Sequence, residues 1–237
     1  MFEGRFGFYQ AYCGGIVNPG ELTAGLGEDW CVPAIFFKPY PANHFTHGAI
    51  DAALALKSRV RVEDIDAITV GVATPTLRTI AEPKEQKAQP ETGYQAQFSG
   101  PFAVAAALIG GGGLGVGLED FTDAKARDGA YRELASRVTF QADADCDKVF
   151  PNQFPAIMRI RTKSGCELEA RVMANRGGPA SPLSQAELKT KFMTNATRTM
   201  SSHHAEALSR LILECTDGPV ARIAAAAAEP PVLQIHR

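Results

Sequence analysis

The chain has 237 residues, 45% of them hydrophobic and 21% charged, with a formal net charge of −2 and a pI near 6.2. That balance suits a soluble globular protein of one large domain or two small ones, and it offers no basic face for nucleic acid, although a local basic pocket for an anion stays compatible with it. No apolar run reaches the roughly 18 residues of a membrane span, residues 1–5 carry no apolar signal core, and the five cysteines are scattered without CxxC spacing. The expectation is therefore a cytoplasmic protein with reduced thiols, no zinc site and no membrane partner.

Residues 1–43 are rich in Gly, Pro and aromatics and lack a clear period. Phe6, Phe8, Tyr9, Tyr12 and Trp30 have no local core to cover them, so this stretch reads as a surface that packs on another domain, a partner chain or a second copy. The Ala- and Leu-rich segment 45–58 predicts a helix with Ile50 and Leu54 on its apolar stripe. Residues 65–73 alternate as a strand. The polar stretch 75–96, with Pro75, Pro83 and Pro90, reads as a long loop. Ser99 is placed to cap a small-residue, buried helix over 98–109, with Pro101 in its first turn and Gly110 to Gly113 ending it. A helix pair near 118–136 follows, starting at Asp120 or Thr122, and then a short strand over 138–142. Residues 155–174 predict a hairpin turning at Lys163-Ser164-Gly165. After a Gly/Pro loop over 175–183, Ser184 and Glu187 match a capping box. Last helices are expected over about 202–215 and 220–228, with a loose tail after Glu229. Strands and helices mix without regular β-α-β alternation, which predicts an α+β fold.

The run Gly110 to Gly117 closes a helix instead of opening one after a strand, so it reads as a helix end and not as a phosphate loop. His203 and His204 are neighbours on a helix and face different directions, which disfavours a shared metal. Asp143, Asp145 and Asp147 alternate but lack the glycine and closing glutamate of a calcium loop, and read as a solvated loop. No Gly-x-Ser-x-Gly elbow occurs. The segment from Phe36 to His47 is the most informative. Pro39 and Pro41 impose an extended backbone, and Lys38, Asn43, His44 and His47 then gather before a helix start, where free N–H groups attract anions. A lysine and imidazoles there suit a carboxylate. The alternative is a surface lysine and a histidine that fills or caps a helix start.

Several segments resemble the MmgE/PrpD family, in the family's order. They are Lys38-Pro39-Tyr40-Pro41, Phe45-Thr46-His47-Gly48-Ala49-Ile50-Asp51-Ala52, Ala96 to Leu108 around Ser99-Gly100-Pro101, Phe121-Thr122-Asp123, Arg176-Gly177-Gly178-Pro179, Pro182-Leu183-Ser184 and Lys191-Phe192. Glu3-Gly4 with Gly7-Phe8-Tyr9 is similar to a segment just upstream. The resemblance implies a large helical domain and a smaller α+β lid, with the site between them, usually in homodimers and with no metal or organic cofactor. It assigns residues 1–58 to a remnant of the helical domain and the substrate-facing segment, 59–180 to the lid, and 181–237 to C-terminal helices. A preceding helical half would carry further site residues.

By the same resemblance, Lys38 matches a lysine that holds substrate carboxylates, and Lys38, His44 and His47 are the catalytic candidates. Asn43, Ser99 and Phe102 join Lys38 as substrate-binding candidates. Where the decarboxylase branch has a histidine, this chain has Asn43, and where it has a tyrosine, this chain has Phe102. Asn cannot shuttle a proton and Phe has no hydroxyl, so the departures argue against decarboxylation. They leave a lyase that dehydrates a hydroxy acid, or an isomerase that epimerises by α-proton abstraction, acting on a small di- or tricarboxylate. The alternative is a catalytically incomplete lid-like module that binds an acid or a partner protein. The partner expected is a second copy or an N-terminal helical half.

Overall fold

The computed structural model describes residues 1–215 and 220–228. The chain divides into two compact units, residues 1–35 and 36–237. The first holds one short helix, α1 (Phe8–Cys13), and isolated 3-10 turns. Its aromatics cluster with one another, as in the stacked pair Phe8 and Tyr12, whose ring centroids are 5.0 Å apart. Phe6, Tyr12 and Trp30 stay exposed. The exposure expected of this segment is therefore present.

The second unit is an α+β body built on one four-stranded mixed sheet. Its strands are β1 (Ile65–Val72), β2 (Val138–Ala142), β3 (Ala156–Thr162) and β4 (Glu167–Val172), in the order β2-β1-β3-β4. β1 runs parallel to β2 and antiparallel to β3, and β3 and β4 form the predicted hairpin. The register stacks Ile68 beside Ile160 and Val138, and Val70 beside Met158 and Phe140. Ile160 and Met158 then meet Leu168 and Ala170 on β4. Period-2 alternation therefore gives one apolar face.

Helices cover that face. They are α2 (His47–Lys57), which packs on β3 and β4, and α6 (Gly100–Ile109), which packs on α2 and on α8 (Gly129–Ser136). Every residue of α6 from Gly100 to Leu108 is buried. Ala49, Ala52 and Ala53 of α2 and Ala103, Ala105, Ala106 and Ala107 of α6 are all fully buried, so small side chains let the two backbones approach closely. The opposite sheet face is charged and partly exposed. Arg159 pairs with Glu169 at 2.7 Å, Arg161 with Asp66 at 2.7 Å, and Arg171 with Asp145 at 2.9 Å.

Two expectations are corrected. Residues 75–96 are not a structureless loop. A 3-10 turn (Thr74–Thr76) and three short helices, α3 (Leu77–Ile80), α4 (Lys84–Ala88) and α5 (Gly93–Gln97), fill the stretch. Thr92 caps α5, and the buried Ile80 and Ala96 anchor the stretch to the core. Residues 144–149 form a helix, α9 (Ala144–Val149), in place of a solvated loop. Asp143 caps it, Asp145 pairs with Lys148 and Arg171, and Asp147 accepts from the Thr74 backbone and hydroxyl. The helix pair near 118–136 resolves into a 3-10 turn, α7 (Asp123–Ala126) capped by Thr122, and α8. The chain ends in α10 (Gln185–Ala196), α11 (Ser202–Leu213) and α12 (Val220–Ala227). The capping box at Ser184 and Glu187 forms as read. His204 turns to the Ala226 carbonyl at 2.8 Å, without His203. The tail after Glu229 lies outside the described residues.

Candidate functional site

The extended segment from Phe36 to Asn43 is pinned at both ends. The Phe37 amide donates to the Gly177 carbonyl at 2.9 Å, and the Asn43 amide donates to Gln97 at 2.7 Å. Gly177 sits at a φ of +102°, and a Cβ there would lie 2.0 Å from the Phe37 carbonyl oxygen. Only glycine satisfies both conditions.

Between the pins, Tyr40 is buried and its hydroxyl donates to Asp51 of α2 at 2.5 Å. The second Asp51 oxygen accepts from the Arg176 backbone amide at 2.9 Å. The Arg176 guanidinium lies over the Tyr40 ring at 5.5 Å, donates to the Leu114 carbonyl at 3.1 Å and pairs with Glu187 at 3.2 Å. Burial raises the Asp51 pKa, while its bonds to Tyr40 and Arg176 pull it back down. Four stretches distant in sequence are thus tied by one polar network: the Lys-Pro-Tyr-Pro segment, α2, the Arg-Gly-Gly-Pro loop and the start of α10.

The network presents a basic corner. Lys38 is exposed at its rim. His44 opens a 3-10 turn (His44–Thr46) ahead of α2 and is half-buried. Its ring packs against Phe154 at 4.6 Å, His47 at 4.8 Å and Phe36 at 5.1 Å between centroids. Burial first, and the Lys38 charge second, lower its pKa. Its Nε2 lies 3.1 Å from the Asn175 side-chain nitrogen. Lys191 of α10 is half-buried, and its pKa too is lowered by burial and then by Lys38. It lines a cavity of about 150 Å³ with Pro39, Pro41, Leu114, Val116 and Asn195. Among the described residues neither lysine has an acidic partner within ion-pair distance. Unneutralised cations beside half-buried imidazole form a field that attracts carboxylates.

The remaining candidates are engaged within the fold. His47 is 0% exposed, its Nε2 lies 3.3 Å from the Ala42 carbonyl, and its Nδ1 is buried without a partner. Burial, with smaller contributions from His44 and Lys38, lowers its pKa to about 3. Such an environment favours the neutral ring. Asn43 spends its side chain on the Phe45 amide at 3.0 Å. Ser99 is fully buried, caps α6 by accepting from the Phe102 amide at 3.0 Å and donates to the Lys87 carbonyl. Phe102 is fully buried and stacks on Tyr131 at 5.5 Å. In this chain Ser99 serves as a cap and Phe102 packs in the core.

Sequence reading missed Asn175 altogether and took Lys191, Tyr40, Asp51 and Arg176 only as motif markers. Their joint place in the motif set was the available signal, and three of them, Tyr40, Asp51 and Arg176, touch one another. Among the described residues no cluster of His, Cys, Asp and Glu could hold a metal ion, and no helix is long and apolar enough to cross a membrane.

The MmgE/PrpD C-terminal domain matches residues 40–217, and the chain belongs to that family. Cis-aconitate decarboxylase of Homo sapiens is 25% identical over 218 residues, which are 91% of this chain and 44% of that protein. Cis-aconitate decarboxylase of Mus musculus is 24% identical over 220 residues, 89% of this chain and 42% of that protein. The chain thus spans less than half the length of these curated relatives.

Proposed function

We propose that this chain is the C-terminal portion of an MmgE/PrpD-type enzyme acting on a small di- or tricarboxylic acid. A base of the assembly takes the proton from a carbon α to a carboxylate, and the electron pair of that C–H bond stays behind in an enolate-like intermediate. That intermediate then expels a β-hydroxyl, which is dehydration, or takes a proton on the other face, which is epimerisation. Lys38 holds the carboxylate on which negative charge develops, an electrostatic role. His44 shares a proton or hydrogen bond with the same group. The observation that carries this reading is the exposed, acid-free Lys38 beside half-buried His44. The relatives are named decarboxylases, but this chain has Asn43 and Phe102 where the resemblance places a histidine and a tyrosine in the decarboxylase branch, and neither side chain can exchange a proton. That supports dehydration or epimerisation here. The exposed Phe6, Tyr12 and Trp30 support a covering partner, either a second copy or a helical half.

The test is turnover of hydroxy-tricarboxylates by the native assembly that contains this chain, with and without Lys38→Ala. The expected loss is on the order of a hundredfold with an unchanged melting temperature. Retained turnover overturns the role of Lys38. An assembly that binds such acids without turnover supports the incomplete, acid-binding module instead.

A further inference from the structure

We propose that Asn175 is a positioning residue that fixes the proton of neutral His44 on Nδ1, so that this ring meets a bound carboxylate as an N–H donor and not as a base. Asn175 follows β4 directly and is 0% exposed. Its Oδ1 accepts from the Phe154 backbone amide at 3.2 Å. That contact sets which way the amide faces, and its nitrogen then lies 3.1 Å from His44 Nε2. An amide nitrogen only donates, so Nε2 must offer its lone pair, and a neutral imidazole with that lone pair carries its hydrogen on Nδ1. The reversed amide would set the Phe154 N–H against an NH₂ group and lose that bond.

The surroundings hold the ring in that state. Phe36 and Phe154 wall it in, and the charged group acting on it is Lys38, a cation. His47, the other titratable neighbour, is buried at 4.8 Å between centroids. An imidazolium would have to place an Nε2–H against the Asn175 amine. Among the described residues the hydrogen bond of the His44 ring is made through Nε2, so Nδ1 is the atom left for a ligand. A neutral imidazole N–H polarises or anchors a carboxylate oxygen, as neutral histidines do at enolising sites. The group that removes the α-proton therefore lies elsewhere in the assembly. This assignment rests on reading His44 as the substrate-facing group, whereas the tautomer belongs to the chain alone.

The experiment labels the histidines with ¹⁵N in the full chain and reads each ring's tautomer by long-range ¹H–¹⁵N correlation, with His44 identified through His44→Gln. The expected result is an Nδ1–H ring at His44 in the parent chain. In Asn175→Asp, a carboxylate accepts from both Phe154 and His44, so the tautomer inverts to Nε2–H and the titration midpoint rises. An Nε2–H ring in the parent, or the same tautomer in a folded Asn175→Asp, overturns the proposal. If that variant does not fold, the parent's tautomer decides alone. Unchanged turnover in His44→Gln with an Nδ1–H parent ring would overturn the substrate-facing role of His44 and leave the tautomer lock standing.

Discussion

His47 makes the stability of this domain depend on pH in a calculable way. The folded ring has a pKa of about 3 against an ordinary 6.5. Between those values the unfolded chain holds a proton on His47 that the folded chain does not, so acid favours unfolding. The stability is fully present above pH 6.5 and is lost as pH falls towards 3. The gap corresponds to on the order of 5 kcal/mol, accumulated at about 1.4 kcal/mol per pH unit. His47→Phe keeps an aromatic ring against Tyr40 and His44 and removes the titration. It also leaves the Ala42 carbonyl without its donor, a pH-independent loss of about 1 kcal/mol. Urea midpoints for both proteins at several pH values between 4 and 6 give the comparison. The parent profile should rise with pH more steeply than the variant's, by about 1.4 kcal/mol per pH unit. The lowered pKa of His44 works in the same direction and the raised pKa of Asp51 in the opposite one, but both are present in each protein and cancel in the difference. Parallel profiles would refute the reasoning.

Two further substitutions probe the scaffold. Ser99→Ala removes the cap of α6 and the bond to the Lys87 carbonyl, and should lower unfolding free energy by about 1–3 kcal/mol in chemical denaturation. Gly177→Ala forces a Cβ against the Phe37 carbonyl at a positive φ. It should cost about 1–3 kcal/mol and increase amide exchange at Phe37, whose N–H partner is Gly177 itself. With Lys38→Ala, these variants separate loss of chemistry from loss of fold, because Lys38 is exposed and leaves the melting temperature in place.

Much of the fold was legible because the deciding interactions are local. β1 reads directly from alternation, α6 from Ser99 and Pro101, and the β3–β4 turn from Gly165. The capping box at Ser184 is a four-residue rule. The short helices over 77–97 escaped because prolines suggested a loop, while their order comes from tertiary burial of Ile80 and Ala96. The site was half-legible for the same reason. Lys38 and His44 share one segment and could be paired by eye. Asn175 lies 131 positions from His44 in sequence and meets it only because β4 delivers the chain there. Ser99, Phe102 and His47 share the motifs of the site segment, and their burial, which depends on tertiary packing, could not be read from those motifs.

The alanine seam between α2 and α6 bears on how this domain can diverge. Its side chains are already the smallest that fill the space, and enlarging one costs about 1–3 kcal/mol. A change on one helix therefore has to be matched at once on the other. The charged outer face of the sheet carries no such constraint, since each exposed pair there is worth about 0.2–1 kcal/mol and can be traded for another. The sheet's outer surface can thus absorb single changes that the seam between α2 and α6 accepts only in pairs.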